Sequence, residues 1–285
     1  MAILTIARLT IVEASRRRLL IALAGLTLVV IAFTGWGFSK IPDLSAGHGS
    51  ISPVEAKLIA SQVLILVAFL YSGLLALTAA LIAAPAIHNE MESGILLTVL
   101  ARPVHRSEVV IGKAVGFALV LVVYAAASVL VEFAVVDWAA SYVPPHPVGV
   151  ILFLSAQAIA LMLLALALST RLPAMAGGVL ALGSFFLSWL GGVVGSFGLA
   201  FQNRTIENVA TAVSLILPSD GLWRGAIWSL EPAAVIATTV ASGRAAASNP
   251  FFAGQAPSAA YLAWCALWML LVLVLALLSF RAREV

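Results

Sequence analysis

The sequence predicts an all-α polytopic membrane protein with six transmembrane helices, preceded by an N-terminal surface helix. Three observations predict this class: the composition, the division of the apolar residues into long runs, and the placement of the basic residues. Of the 285 residues, 63% are apolar and 9% are charged, and the mean hydropathy is +1.13. A soluble domain is about one quarter charged, so lipid must be the main solvent of this chain.

The apolar residues form six runs, each long enough to supply the ~20 residues that cross the hydrocarbon core. We predict a single transmembrane domain, 1–285, whose spans are 19–38, 58–86, 109–136, 148–170, 174–201 and 259–280. The segment 2–18 before them is predicted as a surface helix because its apolar residues share one helical stripe. These residues are Ile3, Ala7, Ile11 and Ala14. A plain extension of the first span is the alternative.

The basic residues predict the orientation, because Lys and Arg are enriched in cytoplasmic loops. With the N-terminus inside, ten basic residues are cytoplasmic: Arg8, Arg16, Arg17, Arg18, Arg102, Arg106, Lys113, Arg171, Arg281 and Arg283. The other five lie outside: Lys40, Lys57, Arg204, Arg224 and Arg244. Both termini are therefore expected in the cytoplasm, which agrees with an even number of spans.

The composition also argues against several classes of function. The single cysteine, Cys265, allows no internal disulfide and no cysteine-based metal site. The net charge of +3 comes from basic residues that are scattered, so we expect no nucleic-acid partner. The three arginines 16–18 precede a run of full spanning length without a clean cleavage site, so this run is expected to be a retained helix rather than a signal peptide.

The predicted cytoplasmic segment 88–113 carries most of the information about function. Glu90 and Glu92 stand near the start of a short helix and Arg102 near its end, as the helix dipole favours. Pro103 ends this helix. We therefore predict a short interfacial helix between spans two and three. On composition alone, an ordinary loop whose charges only set the topology explains the segment better.

The order of residues in this segment resembles the loop between the second and third spans of type-2 ABC transporter permeases. The shared pattern is Glu-x-Glu-x-Gly-x-Leu-x-x-Leu, then Arg-Pro-x-x-Arg, then Gly-Lys. Its residues are Glu90, Glu92, Gly94, Leu96 or Leu97, Leu100, Arg102, Pro103, Arg106, Gly112 and Lys113. The most similar subgroup is the NosY-like permeases, which also have six spans, a preceding surface helix and a Pro-Ser/Thr-Asp segment like that at Pro218.

This resemblance implies that the chain is the transmembrane subunit of an ABC exporter and that the segment is its coupling helix. The implied contacts with a cytosolic ABC ATPase, present in two copies, are Glu90, Glu92, Gly94, Leu96, Leu100, Arg102, Pro103 and Arg106. The chain has no phosphate-binding loop of its own, so ATP and Mg²⁺ are expected on the ATPase and no cofactor on this chain. The resemblance also implies a second permease copy, most simply in a homodimer, and a location in the inner or plasma membrane.

A few residues inside the predicted spans are candidates for special roles. Glu132 is an ionisable residue in span three, which makes it a functional candidate, but its position near Trp138 favours the outer interface. Gln157 is expected to hydrogen-bond across helices. Gly191 and Gly195 have the spacing that allows close helix approach, either within the chain or, as we favour, at a homodimer seam.

The outer segment 202–258 is mildly apolar, and its runs are too short to span. We predict short helices that lie on or dip into the outer leaflet, with a plain loop as the alternative. Its polar and aromatic residues suit an outer interface; they are Asp220, Trp223, Arg224 and Trp228.

Other functions stay open at this point. An ion-gradient-driven transporter would need charged sites near the midplane, and Glu132 is its one candidate. A scaffold that anchors a soluble partner is a further alternative. The spans lack charged rings, so an apolar or amphipathic substrate is expected. The alternative is that the permease moves no solute and transmits its conformational change to a protein at the outer face.

Overall fold

The computed structural model describes residues 2–40, 53–93, 105–243 and 248–282. Every regular element in these ranges is a helix, and the fold class predicted from the sequence is confirmed. The helices are α1 (Ala2–Arg16), α2 (Arg18–Ser39), α3 (Pro53–Ala83), α4 (His88–Glu92), α5 (Arg106–Ala140), α6 (Pro147–Ser169), α7 (Ala174–Phe201), α8 (Arg204–Ile216), α9 (Ser219–Leu230), α10 (Ala233–Ala241) and α11 (Ala259–Arg281).

Six of these helices are long and apolar enough to cross a membrane: α2, α3, α5, α6, α7 and α11. Several of them extend beyond the apolar runs that predicted them, because a helix continues through the polar residues at its ends. The helix α5, for example, takes in Arg106 and Glu108 at its start and Asp137 near its end. Large apolar side chains such as Leu28, Phe33 and Leu275 are exposed on these helices, as lipid-facing helices require.

The helix α6 lies at the centre of the bundle and contacts α3, α5, α7, α9 and α11. Its buried residues continue around the helix, from Val150 and Leu154 to Leu161 and Leu166. A helix that is apolar on all sides is expected in such a position. The most buried spans, α3 and α6, therefore form the core against which the other helices pack.

The N-terminal helix α1 packs closely against the first half of α5. Two glycines of α5 make this approach possible: a methyl group on Gly112 would stand 2.7 Å from the Ile6 side chain, and one on Gly116 would stand 2.8 Å from the Ala7 carbonyl oxygen. The buried face of α1 is formed by Ala7, Thr10 and Ala14. Ala7 and Ala14 belong to the stripe predicted from the sequence, and in the structure this side of α1 faces α5.

The two ends of the bundle differ in charge. One end, here named the basic end, contains α1, α4, the start of α5 and the α6–α7 connection with Arg171, which donates to Ser279 near the end of α11. The opposite end, named the far end, contains the α5–α6 connection, the start of α8, the end of α9, and α10. Described basic residues are more frequent at the basic end, as the sequence predicts.

Candidate functional site

At the basic end, a buried ion pair joins α4 to α5. The Lys113 Nζ donates to the Glu90 Oε1 over 2.6 Å, and the two side chains are 5% and 22% exposed. A buried charge is tolerated when it is paired and hydrogen-bonded. Lys113 also follows Gly112, the glycine on which α1 packs, so one cluster connects α1, α4 and α5.

The neighbouring carboxylate has a different environment. Glu92 is 69% exposed, and among the described residues it contacts the His88 side chain one turn earlier, at 3.1 Å. His105 precedes α5, and its backbone N–H donates to the Glu108 Oε2 at 2.9 Å. Of the two glutamates implied as ATPase contacts, Glu92 is therefore at the surface and Glu90 is engaged inside the molecule.

Of the remaining residues of the predicted coupling segment, one lies within the described residues. Arg106 is the first residue of α5. Five others lie outside the described residues: Gly94, Leu96, Leu100, Arg102 and Pro103. Their assignment stays a prediction.

At the far end, α8 and α9 form a helical hairpin that runs back into the bundle. The helix α8 descends along α7 from Phe201 to Ser188, and α9 returns along α6 to its far end, where the His146 N–H donates to the Ser229 carbonyl. With 13 residues, α8 is about 20 Å long at 1.5 Å per residue. That length brings the turn at Leu217–Ser219 to about the middle of a ~30 Å hydrocarbon core.

Polar side chains from three spans hold this turn. The Gln157 amide donates to the Ser219 Oγ at 3.0 Å and accepts from the Ser72 hydroxyl at 2.8 Å. The Ser188 hydroxyl donates to the Leu217 carbonyl at 2.6 Å and accepts from the Asp220 N–H at 2.9 Å. The expected role of Gln157 in bonding across helices is observed, and its partners show which helices it joins.

The last carbonyl groups of α8 are also satisfied, in this case by α11. Tyr261 donates to the Ser214 carbonyl at 3.3 Å, Trp264 to that of Leu215 at 2.9 Å, and Trp268 to that of Ile216 at 2.9 Å. The end of a helix leaves its final carbonyls without intrahelical partners, and hydrocarbon offers none. These three donors share one face of α11, and they therefore allow α8 to end inside the membrane.

The glycines of α7 face this hairpin within the same chain. A methyl group on Gly191 would stand 2.5 Å from the Val213 side chain, and one on Gly195 would stand 2.8 Å from Ala210. The homodimer seam favoured from the sequence is therefore wrong for Gly191 and Gly195, because α8 occupies that surface. The spacing predicts a close helix approach, and this approach is observed. The sequence did not identify α8 as the helix that packs there.

Two residues expected at an outer interface are instead buried. Trp223 is 1% exposed and packs near Phe69, with ring centroids 5.6 Å apart, and Asp220 is 6% exposed. Trp228 stacks on His146 at the far end, with centroids 4.8 Å apart. The prediction for Trp223 and Asp220 was wrong because the hairpin carries the first half of α9 down between α6 and α7.

Asp220 and Arg224 form an ion pair on α9. The Arg224 Nε donates to the Asp220 Oδ2 at 2.9 Å, and its Nη2 donates to the Gly192 carbonyl at 2.8 Å and to the Ser196 hydroxyl at 3.1 Å. A side chain on Gly192 would collide with the Asp220 carboxylate. The glycine therefore makes room for the pair, which borders a cavity of about 630 Å³ between α7, α8, α9 and residues 252–258.

Glu132 is buried as well, at 2% exposure, and accepts a hydrogen bond of 2.9 Å from Tyr71 of α3. The expectation that it reaches the outer interface is wrong, because Glu132 faces the interior of the bundle. Among the described residues no basic side chain pairs with it. They also contain no group of three or more His, Cys, Asp or Glu residues that could hold a metal ion.

A further buried carboxylate, Glu231, lies beyond the end of α9 and outside the spans. It is 2% exposed and accepts from the Ala253 N–H at 3.3 Å. Burial raises its pKa to about 8. Burial and the nearby Glu231 charge raise the pKa of Tyr142 to about 12. This bond attaches Ala253, which borders the cavity, to the residue that follows α9 at the end of the hairpin.

The model of the ABC-2 family transporter proteins matches residues 5–285, nearly the whole chain. The chain belongs to the ABC-2 transporter family. It is a membrane permease of an ABC transporter, a transport subunit that is not itself catalytic, and the family implies an ABC ATPase as its partner. The curated proteins include no match to this permease.

Sequence reasoning missed several residues that position the hairpin of the permease. These residues bond to the turn, to the end of α8 or to Gln157, and they are Ser72, Ser188, Tyr261, Trp264 and Trp268. The spacing of the three aromatic residues on one face of α11 was a usable signal. Tyr and Trp in a predicted span need hydrogen-bond partners for their polar atoms, and the short helices of 202–258 could have supplied them.

Proposed function

We propose that the permease is the transmembrane subunit of an ATP-driven exporter. It works as a homodimer, and each copy docks a cytosolic ATPase that binds ATP and Mg²⁺. The ATPase contacts the segment that follows α3, starting with Glu92. Closure of the two ATPases moves the paired permeases between inward-facing and outward-facing states.

The observation that carries this proposal is the contrast between Glu90 and Glu92. Glu92 is exposed at the end of α4, where a partner can reach it. Glu90, two residues earlier, is bonded to the buried Lys113 of α5. A force applied at Glu92 is therefore passed through Glu90 to α5, and from α5 to α1, which packs on it.

The basic residues support an orientation with the basic end in the cytoplasm. Both termini are then cytoplasmic, and the hairpin α8–α9 enters from the outer face of the inner or plasma membrane. The substrate is apolar or amphipathic, since the described spans contain few charged residues. The alternative is a NosY-like role, in which the permease transmits the conformational change to a protein at the outer face instead of exporting a substrate.

The test is co-expression of the tagged permease with the ATPase encoded beside it. We expect the ATPase to co-purify with wild type in equal ratio, and to be lost or uncoupled with Glu92→Arg, because a reversed charge would oppose the docking contact. The matched control is Glu13→Arg. Glu13 is another exposed carboxylate at the basic end, in an i, i+4 pair with Arg17, and its reversal should leave the ATPase bound.

If no ATPase co-purifies with wild type in mild detergent, the ATP-driven mechanism is wrong. A gradient-driven transporter that uses Glu132 would then be the better hypothesis. If Glu13→Arg and Glu92→Arg release the ATPase equally, the contact depends on the total charge of this face, and the specific role of Glu92 is wrong.

A further inference from the structure

The cavity between α7, α8, α9 and residues 252–258 has the size of a small-molecule site. Its volume of about 630 Å³ falls within the ~300–1,000 Å³ range of such pockets. Ser214 and Asp220, on either side of the hairpin turn, line it together with residues near the far end of α7, such as Leu199. The cavity therefore extends from the far end toward the middle of the membrane.

The helix α8 has three different faces around this cavity. Ala210 and Val213 pack on the glycines of α7. Glu207, Thr211 and Ser214 form a polar stripe, spaced i, i+4 and i+7, and all three line the cavity. Val209 and Ile216, on the side opposite to this stripe, are 54% and 67% exposed. Polar groups at membrane depth are tolerated where they line a water-filled space, so the polar stripe indicates water or a polar ligand in the cavity.

The charges on the cavity wall do not balance. Asp220 and Arg224 neutralise each other through their ion pair. Within the described ranges, the Glu207 carboxylate has no hydrogen bond or ion pair, and Arg204, one turn away, is not within ion-pair distance of it. An unpaired carboxylate in a partly enclosed site attracts a cation.

Aromatic and apolar side chains line the same cavity as this carboxylate. Phe252 and Tyr261 line the same cavity, and the faces of aromatic rings attract ammonium groups. Leu199 and Phe252, which also line the cavity, offer an apolar surface for a hydrocarbon chain. We infer that the cavity is a binding site for an amphipathic amine, whose ammonium group pairs with Glu207 and whose apolar chain packs against Leu199 and Phe252.

The first part of the test measures access of water and the sign of the charge. Cysteine is introduced at Thr211 or Ser214, or at Val209 as the lipid-facing control, and each protein is placed in lipid nanodiscs. The native Cys265 is 2% exposed, so wild type gives the background. Modification rates are measured with the trimethylammonium-ethyl and sulfonato-ethyl methanethiosulfonates, each divided by its rate with free cysteine in solution.

We expect Thr211→Cys and Ser214→Cys to react and Val209→Cys to stay at background. The cationic reagent should react roughly tenfold faster at Thr211→Cys after normalisation, because the Glu207 charge lies one turn away. Adding Glu207→Gln should remove this preference and leave the cysteine accessible.

The second part uses dodecylamine as the probe and dodecyl sulfate as its matched anionic control. Dodecylamine should slow the modification of Thr211→Cys, and dodecyl sulfate should not. The protection should disappear with Glu207→Gln, which separates binding at the site from a general change in the charge of the lipid surface. This result does not depend on the ATPase, so it is independent of the proposed export mechanism.

Two outcomes would overturn the inference. If Thr211→Cys and Ser214→Cys are as unreactive as Val209→Cys, the cavity is not accessible to water. If they react without charge preference, or if dodecylamine protects equally in Glu207→Gln, the cavity is not a site for the amine.

Discussion

At the scale of single residues, burial decides what each carboxylate of this permease does. Glu90 is bonded to Lys113, Glu132 accepts from Tyr71, and Glu231 accepts from a backbone N–H. Hydropathy could identify the span that contains Glu132, but not which way its side chain points. The direction depends on Tyr71, which lies 61 residues earlier in the chain, and a single sequence gives no information about that pairing.

The raised pKa of Glu231 predicts a pH-dependent stability. The folded protein keeps a proton on Glu231 up to pH of about 8, whereas the unfolded chain releases it near 4.5. The stabilising contribution is therefore complete below pH of about 4.5 and is lost as the pH rises to about 8. We expect Glu231→Gln to flatten the pH dependence of the thermal unfolding midpoint across this window. Glu13→Gln, which changes an exposed carboxylate, should leave the dependence as in wild type; an equal slope in all three proteins would exclude Glu231 as its source.

At the scale of helices, the spans follow from the sequence, whereas the hairpin does not. Span five was predicted at 174–201, and α7 occupies Ala174–Phe201, because Pro173 and the polar residues after Phe201 end the apolar run clearly. The helices α8 and α9 are too short to be recognised as spans. Their depth is set by contacts with distant residues, such as Ser188 and Gln157, and not by their own hydropathy.

The aromatic residues of α11 should therefore matter for stability beyond their packing. We predict that the double change Trp264→Phe and Trp268→Phe lowers the thermal unfolding midpoint. The carbonyls of Leu215 and Ile216 would then have no donor, at a cost of roughly 1–3 kcal/mol each. Trp138→Phe is the control, because Trp138 is 83% exposed and its side chain donates no hydrogen bond to another described residue. Equal midpoints for the double change and for Trp138→Phe would show that these carbonyls find other partners.

At the scale of the whole molecule, the Glu90–Lys113 pair connects α4, where we propose that the ATPase docks, to the bundle. Removing one partner of a buried ion pair costs roughly 3–5 kcal/mol, while replacing both with apolar groups can be neutral. We expect Glu90→Ala to lower the thermal unfolding midpoint and Glu90→Ala with Lys113→Met to recover most of it. Neither protein should show substrate-stimulated ATPase activity with the partner, although the ATPase should still bind through Glu92. Recovered stability together with recovered stimulation would contradict a role of this pair in transmission.

The order of the hairpin's contacts has a consequence for how the chain is made. The turn at Leu217–Ser219 depends on hydroxyl and amide groups of α3, α6 and α7, which leave the ribosome before it. The final carbonyls of α8, however, depend on the aromatic side chains of α11, which are synthesised last. The hairpin can therefore reach its final depth only after α11 has been inserted. A nascent chain that stops before α11 should leave 202–230 at the membrane surface, where proteases can cut it.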